Sequence, residues 1–264
     1  MYKGFNLDLN WDSKYDDRFF ETGKKLFQED EKQVKNVLRN YVLKDGVIDG
    51  SMMQSNWFPK VEADVFISHS HKDEKRAIAL AGWLYQKFGI KSFIDSCIWG
   101  YSNDLLKLID KEHCYQEDTN TYDYNLRNYS TSHVHMMLSV ALTMMIDNTE
   151  CILFLNTPNS ITTSSIINKT ESPWIYSEIA MTQMIRKQLP ERKKNIANEN
   201  LEKGKNLNES LLIQYNADLS HLIEINLDTF ISWQKDFVKS TANNALDKLY
   251  RLTEEKDSLK QLFG

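Results

Sequence analysis

The sequence predicts an α/β protein, with a parallel β-sheet flanked by helices on both faces. Three observations lead there. Short apolar runs alternate along the chain with stretches of helical periodicity, the arrangement that builds parallel sheets through right-handed crossovers. One run, Cys151 to Leu155, is apolar without a break, as a strand covered on both faces must be. Gly and Pro number only 9 and 4 in 264 residues, which favours long helices over a turn-rich β architecture.

Taken in order, Tyr15 to Val42 is charged and helical in pattern, with Phe19, Phe20, Leu26, Phe27, Val34, Val37 and Leu38 as candidate buried positions. Asp45, Gly46, Asp49, Gly50 and Ser51 mark turns and Pro59 closes the region. Residues 1–60 are therefore expected to be a helical N-terminal extension packed on the main domain. Ala63 to Asp73, A-D-V-F-I-S-H-S-H-K-D, has the form of a buried strand running into a polar loop. Glu74 to Phe88 then sets Ala77, Leu80, Ala81, Leu84 and Phe88 at helical spacing, and Gly89 stands where a helix C-terminal stop belongs.

Ile90 to Ile94 is the next expected strand. A loop from Asp95 to Asn103, containing Trp99, Gly100 and Tyr101, is expected to lead into a helix from Asp104 through Asp110, and residues 113 to 130 read as irregular. From His133 to Asp147, Val134, Met137, Leu138, Ala141 and Met145 form a core-facing stripe. After the strand at Cys151, Asn156 to Glu171 is expected as a loop at the C-terminal edge of the sheet, where open α/β sheets bind ligands. A helix carrying Trp174 and Glu178 follows, running to about Gln188 before Pro190. The charged, Asn-rich stretch from Glu191 to Glu209 reads as an exposed excursion. A last strand, Leu222 to Leu227, precedes helical segments from Thr229 to Phe237 and Ala242 to Leu252.

Composition narrows the function. A net charge of -5 leaves no basic excess for phosphate-backbone binding, so no nucleic-acid partner is expected. Cys97, Cys114 and Cys151 form no C-x-x-C pair, suggest neither a disulfide framework nor a zinc knuckle, and fit a reducing cytoplasm. The acidic start, with Asp8, Asp12, Asp16 and Asp17, excludes an apolar signal region, and no run is long enough to span a membrane. Neither G-x-G-x-x-G nor G-x-x-x-x-G-K-[ST] occurs, so no bound dinucleotide cofactor or P-loop is expected.

Two segments carry a family resemblance. D-V-F-I-S-H-S at Asp64 to Ser70 resembles the first signature box of TIR (Toll/interleukin-1 receptor) domains, and S-P-W-I-Y-S-E at Ser172 to Glu178 resembles their NAD-cleaving W-x-x-x-E segment. F-I-D at Phe93 to Asp95 resembles the strand leading into the loop known as BB, though Trp99, Gly100 and Tyr101 replace the frequent Pro-Gly there. The resemblance covers residues 61–240 and leaves a C-terminal helix, 241–264, packed on that domain. It implies a flavodoxin-like TIR fold and an NAD glycohydrolase or cyclase giving nicotinamide and ADP-ribose or a cyclic isomer. NAD would be substrate, with no cofactor and no metal. It also implies a homo-oligomer through TIR-TIR contacts, and a role in antiphage defence of the Thoeris type, by NAD depletion or through a downstream effector sensing the nucleotide product.

Glu178 is the expected catalytic residue. Cleaving the nicotinamide-ribose bond develops positive charge on the sugar, which a nearby carboxylate stabilises, and nicotinamide leaves neutral without needing a general acid. Trp174, Ser68, His69, Trp99, Tyr101 and His133 are the candidate substrate-binding residues. Each also has a structural reading: an acid favouring the helix dipole for Glu178, a core anchor for Trp174, a loop cap for Ser68 and a solvent-facing imidazole for His69. Competing functions are a non-catalytic TIR self-association module, a nucleoside deoxyribosyltransferase using the same carboxylate, and a metallohydrolase. The last rests on His69, His71 and Asp73 spelling H-x-H-x-D, with Glu74 where that family wants His.

Overall fold

The computed structural model describes residues 1–9, 17–29, 32, 62–164, 167–170, 172–190, 215–235 and 245–254. The expected buried positions Val34, Val37 and Leu38, the turns from Asp45 to Pro59 and the excursion from Glu191 to Glu209 lie outside the described residues. Along the chain run β1 (Lys3–Asp8), α1 (residues 17–29), β2 (Val65–Ser68), α2 (Glu74–Phe88), β3 (Ser92–Ile94) and α3 (Ser96–Ile109). Next come a short hairpin of β4 (Tyr115–Gln116) and β5 (Thr121–Tyr122), α4 (Tyr124–Asn148) and β6 (Cys151–Leu155). After β7 (Thr162–Ser164) and β8 (Ile167–Thr170) follow α5 (Pro173–Met184), β9 (Tyr215–Asn216), β10 (Ile223–Asn226), α6 (Leu227–Lys235) and α7 (residues 245–254).

Five strands form one wholly parallel sheet in the order β10-β1-β6-β2-β3. The sheet is flanked by helices on both faces, the flavodoxin-like arrangement. Strand periodicity divides the core. Phe5, Leu7, Val65, Ile67, Cys151, Leu153 and Ile225 face one side and pack with Ala77, Leu80, Trp83 and Leu84 of α2, Trp233 of α6 and Leu249 of α7. Phe66, Phe93 and Ile152 face the other, against Leu105 and Ile109 of α3 and Val134, Leu138, Leu142 and Met145 of α4. Among the described residues no helix is long and apolar enough to cross a membrane.

The start of the chain departs from expectation. Lys3–Asp8 is not part of a helical extension but a strand inside the sheet, paired in parallel with β6 on one side and β10 on the other. Without it, β3-β2-β6 keeps the flavodoxin-like 2-1-3 order, and β1 fills the fourth position. Among the described residues of this region, α1 matches part of the helix expected from Tyr15 to Val42.

Three further segments differ. The loop expected around Trp99 and Tyr101 is helical, because α3 begins at Ser96. A lone Gly100 costs a helix only about 1 kcal/mol relative to Ala, which burial of Leu105 and Ile109 outweighs. Residues 124–130, read as irregular, are the first turns of α4, where the Asp123 side chain caps the helix by accepting from the Leu126 N–H at 2.9 Å. Between Asn156 and Glu171 the chain forms β7 and β8, which join β9 in a small antiparallel sheet.

Candidate functional site

β2 and β6 are neighbours in the sheet, yet β3 and β6 follow β2 on opposite sides of it. The chain therefore reverses direction between β2 and β6, and the crevice at their C-terminal ends is the topological switch point where such sheets hold ligands. Ser68 ends β2 there, opposite Phe154. Ile67 pairs with Ile94, so Asp95 leaves the sheet beside Ser68, one residue before His69.

Glu178 is delivered by α5. Ser172 caps that helix, its hydroxyl accepting from the Ile175 N–H at 3.3 Å, and Pro173 occupies the first turn where no N–H is missed. Ile175, Ile179 and Met181 are buried on the same helix and fix its rotation. Glu178 is 0% exposed, and the Ser68 hydroxyl donates to its Oε2 at 2.5 Å. Beside them, His69 Nδ1 lies 2.5 Å from Asp95 Oδ1. That contact is off the line of a ring N–H, so it is an ion pair by distance and not a well-aligned hydrogen bond.

Burial first, and then the Asp95 charge, hold the Glu178 carboxyl well above its ordinary range, with the Ser68 hydrogen bond pulling the other way. For His69, burial pulls downward, but Asp95, aided by Glu74 and Asp73, outweighs it and leaves the imidazole above its ordinary value. Glu178 Oε1, His69 Nε2 and Ser96 Oγ are buried with no hydrogen-bond partner within the described residues. Buried polar atoms without partners are rare in folded proteins and collect where a ligand or proton is handled.

A second polar cluster braces the same crevice. Asp73 accepts from the Thr157 hydroxyl at 2.5 Å and from the Asn159 amide at 3.0 Å, tying the turn after β2 to the loop after β6. Asp73 is thereby satisfied, His69 faces Asp95 and His71 is exposed, so the H-x-H-x-D residues share no centre. Among the described residues no group of three His, Cys, Asp or Glu side chains is placed to hold a metal ion.

The sequence candidates thus separate. Glu178, Ser68 and His69 come together, with His69 buried and not facing solvent. Trp174 is half-buried against the α4 core and stacks on His135, ring centroids 5.1 Å apart and planes at 8°. His133 is exposed and sits edge-on to Tyr129 at 4.3 Å, away from these contacts. Trp99 and Tyr101 fall within α3, and their side chains lie outside the described residues.

Neither family models, curated proteins nor solved structures match this chain. The site therefore rests on its own geometry. Asp95, Thr157 and Asn159 are not among the binding residues that the sequence suggests, and Asp73 enters there only as a candidate metal ligand. An acid directly after an apolar strand, as in F-I-D, was the available signal for Asp95.

Proposed function

We propose that this chain cleaves NAD between nicotinamide and ribose, with Glu178 as the carboxylate that steadies the sugar. The observation that carries the reading is Glu178 itself: a buried acid, hydrogen-bonded by Ser68 at 2.5 Å, at the switch point of a parallel sheet. When the C1′–N bond breaks, its electron pair stays with the pyridine nitrogen, and nicotinamide leaves neutral. The ribosyl cation remains beside the carboxylate and is captured by water, giving ADP-ribose and a proton, or by a nucleophile within the same molecule, giving a cyclic isomer. NAD is then substrate and not cofactor, and the W-x-x-x-E segment and D-V-F-I-S-H-S box support a TIR-type enzyme. By the same resemblance it acts in the cytoplasm, in antiphage defence, either depleting NAD or feeding a nucleotide signal to an effector.

The test is nicotinamide release from NAD by the purified full chain, with mass spectrometry of the second product. Glu178→Gln should lower the rate at least ~10²-fold while preserving the fold. Equal rates in both proteins end the catalytic reading.

One observation favours a self-association module instead. Glu178 is wholly enclosed, whereas Met136, Val140 and Met144 lie exposed along one face of α4, with Tyr176 and Met184 exposed on α5. A chain that assembles at high concentration in light scattering, yet releases no nicotinamide in the assembled state, is an adaptor of this kind.

A further inference from the structure

We propose that Asp95 is a positioning residue for Glu178: the two carboxyls hold one proton between them, and the His69 imidazolium balances the remaining charge. Its catalytic consequence rests on the reading of Glu178 given above; the proton arrangement itself does not.

Charge counting leads to it. Glu178, His69 and Asp95 are 0%, 3% and 2% exposed; Asp95 Oδ1 is 2.5 Å from His69 Nδ1, and the β2–β3 register sets Asp95 beside Ser68, whose hydroxyl bonds Glu178. Two ionised carboxylates against one imidazolium leave a buried negative charge uncompensated, a state that proteins avoid by taking up a proton. Among the described residues, the other charged groups that act on His69 are Asp73 and Glu74 in the turn after β2, which are also negative and cannot compensate. Asp73 is moreover engaged by Thr157 and Asn159.

Hydrogen bonding agrees with the charge. Among the described residues, Glu178 Oε1 and Asp95 Oδ1 are buried oxygens without an aligned hydrogen-bond donor. Ionised carboxylates only accept, so neither can serve the other. A proton on Glu178 turns one acceptor into a donor and binds the pair together. The acid can then rest neutral and sealed from water. Ionisation follows when a ligand brings positive charge beside it, the proton leaving to solvent, which suits a cationic pyridinium nucleotide and not its uncharged dihydropyridine.

Infrared spectroscopy of the full chain, with carbon-13 in the glutamate side-chain carboxyl, reads this state without any substrate. At neutral pH the wild-type chain should show the C=O stretch of a protonated glutamic acid, absent in Glu178→Gln. Asp95→Asn should move the titration midpoint of that band down by at least about one pH unit, a tenfold change in acidity. His69→Gln should move it up, and decides the matter by itself where Asp95→Asn does not fold. A wild-type spectrum with no such band, or a midpoint indifferent to the folded variants, overturns the proposal. Nicotinamide release is scored separately: a chain with the band but no turnover loses the catalytic reading and keeps the shared proton.

Discussion

Ser68 is the residue on which the state of Glu178 turns. Its hydroxyl is the donor given to that carboxyl by a neighbouring strand, and it holds the acid's affinity for protons down against burial and Asp95. Ser68→Ala should therefore act twice. Loss of the donor to a buried acceptor should cost about 1–3 kcal/mol in urea unfolding, and the Glu178 titration should move to higher pH, seen as a shift of its carboxyl band. A loss of stability with no movement of the band would make Ser68 a packing residue only. The pairing was half legible. The strand end and the W-x-x-x-E segment are visible in the sequence, and F-I-D marks Asp95 as an acid at a strand end, but only the β2–β3 register, Ile67 opposite Ile94, sets it beside Ser68. Tertiary pairing of that kind leaves no trace in spacing.

At the scale of elements, α1 is held against α2 by two glycines that touch backbone to backbone. A methyl group on Gly82 would lie 2.2 Å from Phe19 O and 2.6 Å from Gly23 N, and one on Gly23 would lie 1.8 Å from Ile78 O. Backbone cannot swing aside as a side chain can, so Gly82→Ala must push the helices apart. We expect a loss of about 1–3 kcal/mol or more, with α1 amides exchanging hydrogen faster than those of the sheet. Gly89 is different: a methyl group there meets nothing, but φ is 68°. Gly89→Ala should cost about 1–2 kcal/mol through backbone strain alone and leave α1 exchange unchanged. The stop at Gly89 and the Ser172-Pro173 start were readable, because caps are local chemistry. Strand β1 was not. Central parallel strands read as continuous apolar runs, but β1 carries Gly4 against Leu222 and Ile152 where an apolar residue would have announced it.

For the molecule as a whole, the enclosed site ties stability to pH in a direction opposite to ordinary acid unfolding. A carboxyl raised above its ordinary 4.5 and an imidazole raised above 6.5 both keep protons in the folded chain that the unfolded chain has lost. Folding then takes up protons, and stability falls as pH rises through the raised values. His221 and the Met1 amine oppose this, since burial lowers both, but their contributions are complete once pH exceeds 6.5 and 8.0 respectively. Above about pH 8 the Glu178 and His69 contributions therefore act in one direction until each group's raised value is passed, each proton worth up to ~1.4 kcal/mol per pH unit. Urea unfolding across that range should show the wild-type chain losing stability, and Glu178→Gln, which carries no proton to lose, should lose less and surpass the wild type at the alkaline end. Parallel curves for the two proteins would mean that Glu178 is ionised in the folded chain throughout, and the enclosed carboxyl would then need a buried positive partner other than the His69 already committed to Asp95.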